Sequence, residues 1–215
     1  MTQTIPYKLA KKLFPSVSYH YATSLESYFR QNQIASLYVN DMQNEYEIIR
    51  PYLPSKCTST LDIGCGIAGI DIFLHRHYQP QIVHHYLLDK TWTDSRIHYD
   101  YKQEGAFYNS LDIAKELLIS NKVPINKITL LEANDKGDIL IDHKIDLVIS
   151  LISWGFHYPV SIYIDAVDKI LEKGGVIILD VRKGTEGQKL LQSRFSSVKV
   201  INESAKAHRV MVIKE

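Results

Sequence analysis

The fold of this 215-residue chain is decided by the stretch Leu61-Asp62-Ile63-Gly64-Cys65-Gly66-Ile67-Ala68-Gly69. The stretch from Thr60 to Ile63 predicts a buried-type strand, and the apolar pattern of Ile70 to His77 predicts a helix directly after the glycines. Gly64 and Gly66 leave room for a ligand close to the backbone, whereas Gly69 allows the helix to pack closely on the strand. This pattern is typical of a nucleotide-binding turn.

An acidic residue, Asp89, follows this turn at the spacing found in nucleotide-binding folds. The run from Ile82 to Leu88 predicts a second strand that ends at Asp89, which comes 20 positions after Gly69. A carboxylate at that place can accept hydrogen bonds from both ribose hydroxyls of a nucleoside. The alternative interpretation is a glycine turn that only reverses the chain.

The remainder of the chain alternates between short apolar runs and helical patterns. Further strands are predicted at Lys127 to Leu131, Ile145 to Leu151, Val176 to Val181, Val198 to Asn202 and His208 to Ile213. Helices are predicted at Leu111 to Ser120, Ile162 to Leu171 and Gln188 to Ser193, with Gly174-Gly175 ending the second. The alternation predicts a doubly wound α/β fold with a seven-stranded, mostly parallel sheet. A short polar link between the last two strands makes that pair antiparallel.

The segment Asp62-x-Gly64-x-Gly66 resembles motif I of the class I S-adenosylmethionine-dependent methyltransferases, a Rossmann-like family. In that family an acidic residue precedes the first glycine by two positions, where NAD-binding Rossmann domains usually have an apolar residue. The resemblance runs from about Thr58 to the C-terminus. It implies the cofactor S-adenosyl-L-methionine, with S-adenosyl-L-homocysteine as the product, and a sheet that ends in an antiparallel strand.

The resemblance also implies the residues of the cofactor site. The methionine part of the cofactor is expected beside Asp62, Gly64, Cys65 and Gly66, with Asp89 on the ribose and Lys90 near the adenine edge. Gly69, in the same turn, is also expected in the cofactor site. Ser150 is at the end of the fourth strand of the sheet, which faces the methyl group in this family, so Ser150 is expected to bind the cofactor. Asn134 and Asp135 follow the third strand and are expected beside the adenine, with a solvated loop as the alternative. Many members have glycine where Ala68 stands.

The segment Ser153-Trp154-Gly155-Phe156-His157-Tyr158-Pro159 follows the fourth strand. It departs from the Asn/Asp-Pro-Pro-Tyr/Phe motif of methyltransferases that act on amide or nucleobase nitrogens, so oxygen, aliphatic amine and carboxyl acceptors remain. A neutral imidazole is a suitable base for a hydroxyl acceptor at pH 7, which makes His157 the candidate catalytic residue. Trp154 and Tyr158 are expected to bind the acceptor. A loop that only packs as a lid is the alternative.

Residues 1–55 are predicted to form an N-terminal helical cap, and residues 56–215 the cofactor-binding domain. The chain contains 14 tyrosines, many of them before residue 56. A tyrosine offers both an apolar face and a polar tip, so Tyr19, Tyr21 and Tyr28 are expected to line the acceptor site. The alternative is that these rings anchor helices to the sheet or form a dimer contact.

Composition narrows the partners. Lysine and arginine number 25 against 24 aspartates and glutamates, a balance that disfavours nucleic acid as the substrate. Cys57 and Cys65 are too few for a disulfide framework, and no spacing of ligands indicates a metal. No apolar run predicts a signal peptide or a membrane span. The expectation is a cytoplasmic monomer or homodimer that acts on a small molecule.

The sequence therefore predicts a methyltransferase for a small molecule. O-methylation of a carbohydrate, a nucleotide-linked sugar or another surface-glycan precursor is favoured, because the segment after Ser150 is loosely similar to that of surface-sugar and small-metabolite methyltransferases. Three alternatives remain: methylation of protein or RNA, which predicts a basic or extended groove; an NAD-dependent oxidoreductase; and a catalytically silent cofactor-binding partner subunit.

Overall fold

A computed structural model describes residues 31–93 and 108–215 of the chain. It divides the chain into two units, residues 1–43 and residues 44–215. Of the first unit, residues 31–43 are described, and they form the first part of helix α1 (Gln31–Ile49). The candidate acceptor residues Tyr19, Tyr21 and Tyr28 lie outside the described residues, so their role stays a prediction, as does the division of the chain after residue 55.

Within the described ranges, seven strands form one sheet. They are β1 (Ser59–Ile63), β2 (His84–Asp89), β5 (Ile128–Glu132), β6 (Ile145–Ser150), β7 (Leu171–Arg182), β8 (Ser197–Glu203) and β9 (Ala207–Ile213). Their order across the sheet is β5-β2-β1-β6-β7-β9-β8. Neighbours from β5 to β7 are parallel, whereas β9 runs antiparallel to both β7 and β8. This topology confirms the predicted mostly parallel sheet with its antiparallel terminal strand.

Four helices of the described part of the chain cover both faces of this sheet. They are α2 (Gly69–Tyr78), α3 (Leu111–Ser120), α4 (Ile164–Ile170) and α5 (Gly187–Arg194). Successive side chains of a strand point to opposite faces, and β2 shows the consequence. Leu87 packs in a buried cluster with residues of α2 and α3, whereas Leu88 packs in a second cluster with residues of α4 and α5. The predicted doubly wound arrangement is thereby confirmed.

The sequence patterns misplaced or missed a few element ends. Helix α4 ends at Ile170, one residue earlier than predicted, because the fully buried Leu171 pairs with Ile145 of β6 and already belongs to β7. The Gly174-Gly175 turn lies inside β7, where the register against β6 shifts. Two short strands, β3 (Trp92–Thr93) and β4 (Tyr108–Asn109), pair antiparallel outside the main sheet. Strands of two residues are too short to produce a periodic pattern.

The part of the chain that the structure describes contains neither a candidate membrane span nor a candidate metal site. None of its helices combines the length and the apolar character that crossing a lipid bilayer would require. No group of three or more histidine, cysteine, aspartate or glutamate side chains there is arranged to hold a metal ion.

Candidate functional site

The Gly-rich turn lies at the carboxyl end of β1 and is fastened to the end of β2. The Gly64 N–H donates a hydrogen bond of 2.7 Å to the Leu88 carbonyl, and the Gly66 N–H donates one of 2.8 Å to Oδ2 of Asp89. The other carboxylate oxygen of Asp89 accepts the Lys90 N–H at 2.7 Å. Each oxygen of a carboxylate can accept more than one hydrogen bond, so this arrangement is compatible with ribose binding.

The two glycines of the turn serve different purposes. Both have a positive φ, +79° for Gly64 and +56° for Gly66, a conformation that favours glycine. A Cβ atom at Gly64 would overlap the side chain of Ser153, whereas one at Gly66 would meet no atom within 4 Å. Gly64 therefore makes room for the loop after β6, and Gly66 is the position where a ligand can approach the backbone.

A cavity of about 130 Å³, here called the first cavity, opens beside this turn at the carboxyl ends of the parallel strands. Six of the predicted site residues line it: Gly64, Asp89, Lys90, Asn134, Asp135 and Tyr158. Ser153 and Tyr163 also line it, and the sequence analysis did not select them. Ser153 comes three residues after the end of β6, and this position near a strand end could have indicated a site residue. Ligands of open α/β sheets collect at this edge, so the first cavity is the candidate cofactor site.

Lys90, Asn134 and Asp135 form one side of the first cavity. The Lys90 ammonium lies 2.8 Å from a carboxylate oxygen of Asp135, which raises the pKa of Lys90 and lowers the pKa of Asp135. Both side chains are well exposed, so the pair contributes little to stability. Oδ1 of Asn134 accepts the backbone N–H groups of Lys136 and Asp138, and thus shapes its own turn.

Asp62 lies beneath the turn rather than in the first cavity. Asp62 is 3% exposed. Burial raises the pKa of its carboxyl, and the negative charge of Asp71 and a hydrogen bond to Asp71 raise this pKa further. Asp71 in turn lies 3.2 Å from Nδ1 of the fully buried His85. Asp62 is therefore placed to support the turn from below. The sequence does not reveal the contact between Asp71 and His85, because α2 and β2 come together only in the folded chain.

Cys65 and Gly69 are likewise buried and do not appear among the described residues that line the first cavity. Cys65 packs with Ala68 and Ile72, and burial raises the pKa of its thiol. Gly69 is the first residue of α2.

Ser150 and Trp154 are fully buried and join the loop after β6 to the end of β1. The Ser150 hydroxyl donates to the Ile63 carbonyl at 2.7 Å and accepts the Trp154 N–H at 2.8 Å. The Trp154 indole donates to the Val160 carbonyl at 2.9 Å. The sequence predicts direct ligand contacts for both residues. In the folded chain they hold the loop in place, and Ser153 and Tyr158 are the loop residues that line the cavity.

His157 is an exposed residue of the same loop. The backbone N–H of His157 donates to the Ser153 carbonyl at 2.8 Å. The His157 and Phe156 rings pack edge to face, with 5.1 Å between their centres. Partial burial lowers the pKa of His157, and the positive charge of Arg182 lowers it further. The imidazole is therefore neutral at pH 7, as a general base must be.

Comparison with known proteins identifies the fold. No protein-family model matches the sequence, and no curated protein matches it. A precorrin-6y C5,15-methyltransferase from Geobacter metallireducens GS-15 is 18% identical, with a TM-score of 0.54 over 81% of this chain and 87% of that one. A candidate O-methyltransferase from Nostoc punctiforme PCC 73102 is 13% identical, with a TM-score of 0.59 over 84% of this chain and 58% of that one.

A third solved structure is a 16S rRNA N2 methyltransferase from T. thermophilus in complex with AdoMet and guanosine. It is 14% identical, with a TM-score of 0.51 over 84% of this chain and 43% of that one. Identities this low concern the fold alone. The chain has the Rossmann-like fold of the class I S-adenosylmethionine-dependent methyltransferases.

Proposed function

We propose that this chain, which has the class I methyltransferase fold, is an S-adenosylmethionine-dependent methyltransferase that modifies a small molecule, with oxygen as the favoured acceptor atom. One observation carries the proposal. The turn after β1 is open at Gly66, and the carboxylate of Asp89 lies beside it at the carboxyl edge of the sheet. An open backbone next to a carboxylate suits the ribose of a nucleoside cofactor.

The residues around the first cavity fit this cofactor. Asp89 would bind the ribose hydroxyls, and the backbone from Gly64 to Gly66 would border the methionine part. Asn134 and Asp135 would lie beside the adenine. When bound, the cofactor would supply an activated methyl group on a sulfonium. The acceptor oxygen would form a bond to the methyl carbon as the carbon–sulfur bond breaks, with the electron pair left on sulfur and the proton of the acceptor hydroxyl released.

His157 is proposed to take that proton. Its lowered pKa keeps the imidazole neutral, and its neighbour Tyr158 lines the first cavity. Aligning the acceptor and removing its proton are the two tasks that remain for the protein, because the methyl group is already activated.

The fold does not select the acceptor class, because it also serves proteins that act on precorrin and on rRNA. Two features of this chain support a small-molecule acceptor. The segment after β6 lacks the motif of enzymes that methylate nucleobase or amide nitrogens. The chain carries 25 basic against 24 acidic residues, which gives no excess for binding a polyanion. A helical cap formed by residues 1–55, a monomeric or homodimeric state and a cytoplasmic location belong to the same proposal.

The test combines cofactor binding with turnover. Calorimetry first measures whether S-adenosylhomocysteine binds. Release of S-adenosylhomocysteine from S-adenosylmethionine is then followed with nucleotide-linked sugars, phosphorylated metabolites, bulk tRNA and cell protein. Turnover with a small molecule supports the proposal. Turnover only with tRNA or protein would replace the acceptor class, and binding without any turnover would favour a silent partner subunit.

A further inference from the structure

The loop after β6, residues 151–158 and here called the β6 loop, forms part of the wall of the first cavity. Ser153 and Tyr158 of this loop line the cavity. The Ser153 side chain occupies the space beside Gly64 that a Cβ atom at Gly64 would need. The shape of the candidate cofactor site therefore depends on where the β6 loop lies.

The β6 loop passes through a strained residue directly before Ser153. Ile152 has a φ of +59°, which is rare for a β-branched residue. Ile152 is 46% exposed, so packing of its side chain holds it only in part. Its backbone N–H donates a hydrogen bond of 3.2 Å to Oδ2 of Asp180. A strained backbone persists only where its surroundings hold it, and Asp180 provides such a contact.

Asp180 is itself held in one orientation. It is 4% exposed and lies near the carboxyl end of β7, where its partner across the antiparallel pair is Arg209 of β9. Nε and Nη2 of Arg209 each donate to a different carboxylate oxygen of Asp180, both at 2.8 Å. Arg209 also contacts the carboxylate of Glu45. A bidentate pair of this kind fixes the plane of the carboxylate, so the oxygen that accepts the Ile152 N–H is fixed as well.

A second contact brings the β6 loop onto the backbone of β7. Gly155 has a φ of +90°, and a Cβ atom there would lie 2.7 Å from the Asp180 carbonyl oxygen. The Gly155 carbonyl accepts the Arg182 N–H at 2.9 Å. Only glycine permits so close an approach with this backbone conformation. The loop is therefore attached to Asp180 twice, to its side chain at Ile152 and against its backbone at Gly155.

We propose that Asp180, oriented by Arg209, is a positioning residue for cofactor binding. It holds the β6 loop in the conformation in which Ser153 lies against Gly64 and forms the wall of the first cavity. Asp180 is not among the described residues that line this cavity, so it acts through the loop. This inference rests on the proposed function and deepens it by assigning a residue of β7 to the cofactor site. Without this attachment, only those molecules whose loop is in place bind the cofactor, and the apparent affinity falls accordingly.

Asp180→Asn tests the attachment through the side chain. An amide NH2 cannot accept a hydrogen bond, so at least one bond to Arg209 or Ile152 is lost. Affinity for S-adenosylhomocysteine, measured by calorimetry well below the melting temperature, is expected to fall about fivefold or more, because the strain at Ile152 then favours release of the loop. Asp146→Asn is the matched change. Oδ2 of Asp146 accepts the N–H groups of Thr58 and Ser59 at the opposite, amino end of β6, and affinity should stay within about twofold.

Gly155→Ala tests the attachment through the backbone and leaves every charge in place. The added methyl group would collide with the Asp180 carbonyl, so affinity for S-adenosylhomocysteine should again fall about fivefold or more. Gly184→Ala is the matched change. Gly184 has a similar φ of +78°, but a Cβ atom there would meet no atom within 4 Å, so affinity should be unchanged.

Hydrogen exchange of the unliganded proteins measures the β6 loop directly. Peptides that cover residues 151–158 should exchange faster in Asp180→Asn and Gly155→Ala than in the wild type and the two control variants. A wild type that does not bind S-adenosylhomocysteine overturns the proposed function. If the wild type binds it, and Asp180→Asn and Gly155→Ala bind it equally tightly or exchange no faster in the loop, only this inference fails. A lower melting temperature of Asp180→Asn with unchanged affinity would likewise reduce Asp180 to a stabilising residue.

Discussion

At the scale of single residues, His157 carries the clearest pH dependence. Its pKa lies below the ordinary value of 6.5, because burial and then the Arg182 charge disfavour the imidazolium. A base works only when it is neutral, so the rate is expected to fall on the acid side through a pKa below 6.5. Arg182→Gln removes one cause of the lowered pKa and should move this acid limb to higher pH.

The measurement is the pH dependence of S-adenosylhomocysteine release at saturating acceptor, for the wild type and for Arg182→Gln. His157→Ala serves as the reference and should keep its cofactor affinity while losing the acid limb and most of the rate. If His157→Ala keeps the acid limb of the wild type at the same pH, His157 is not the base.

Asp62 provides a second prediction at this scale, and its readout is stability. Burial raises the folded-state pKa of this carboxyl above its ordinary value of 3.8. The protonated form is the one that the fold favours, so its contribution is complete below the unfolded-state pKa and is lost as pH rises through the folded-state pKa. Asp62→Asn imitates the protonated carboxyl. The melting temperature of this variant minus that of the wild type should therefore increase as the pH is raised from 4 to 8.

Thermal melts followed by circular dichroism across this pH range provide the measurement. Glu116→Gln, which changes an exposed carboxyl on α3, is the control and should follow the wild type at every pH. A constant difference between Asp62→Asn and the wild type would show that Asp62 titrates alike in the folded and unfolded states.

The residue scale also shows what the sequence could and could not predict. The spacing of Gly64, Gly66 and Asp89 correctly placed a turn and a carboxylate at one edge of the sheet. It did not reveal that Gly64 accommodates Ser153, because that contact joins distant parts of the chain. Sequence spacing locates the end of a strand, whereas the direction of each loop side chain is decided by packing. Trp154 illustrates this limit, since its ring is in the core.

At the scale of elements, Ser150 joins β6 to β1 and also begins the loop. Both of its hydrogen bonds are buried, so Ser150→Ala leaves the Ile63 carbonyl and the Trp154 N–H without these partners. The expected loss in the free energy of unfolding is about 1–3 kcal/mol. Urea denaturation measures it, with Ser120→Ala at the exposed end of α3 as the control. A loss no larger than that of the control would mean that the loop is held by other contacts.

The same scale explains why the strands were easier to predict than some of their surroundings. Strands β1, β2 and β6 are mostly buried, and each contains apolar residues at buried positions, such as Leu61, Leu87 and Leu147, which made these strands recognisable. Strands β3 and β4 contain two residues each and carry no such signal. The early start of β7 depends on pairing with Ile145, a contact that local sequence does not encode.

At the scale of the whole molecule, ligand binding should appear as stability. A ligand at 100 times its dissociation constant stabilises the folded state by about 2.7 kcal/mol. For a domain of this size that corresponds to a rise of about 5–11 °C in the melting temperature. S-adenosylhomocysteine is expected to produce such a rise in differential scanning fluorimetry. NAD at the same concentration is expected to produce none, because Asp62 and the antiparallel β9 distinguish this fold from NAD-binding Rossmann domains.

Asp89→Asn connects this shift to the site. Loss of the charged acceptor at the end of β2 should reduce the shift at a fixed ligand concentration, because charge-assisted hydrogen bonds to the ribose contribute about 1.5–3 kcal/mol. Asp112→Asn, an exposed change on α3 outside the lining of the first cavity, is the matched change and should preserve it. In the Asp89→Asn protein the amide oxygen can still accept the Gly66 N–H, whereas the amide NH2 cannot accept the Lys90 N–H, so the melting temperature of the ligand-free variant is measured alongside. A full shift in Asp89→Asn would place the ribose elsewhere, and a shift with NAD alone would change the reaction from methyl transfer to hydride transfer.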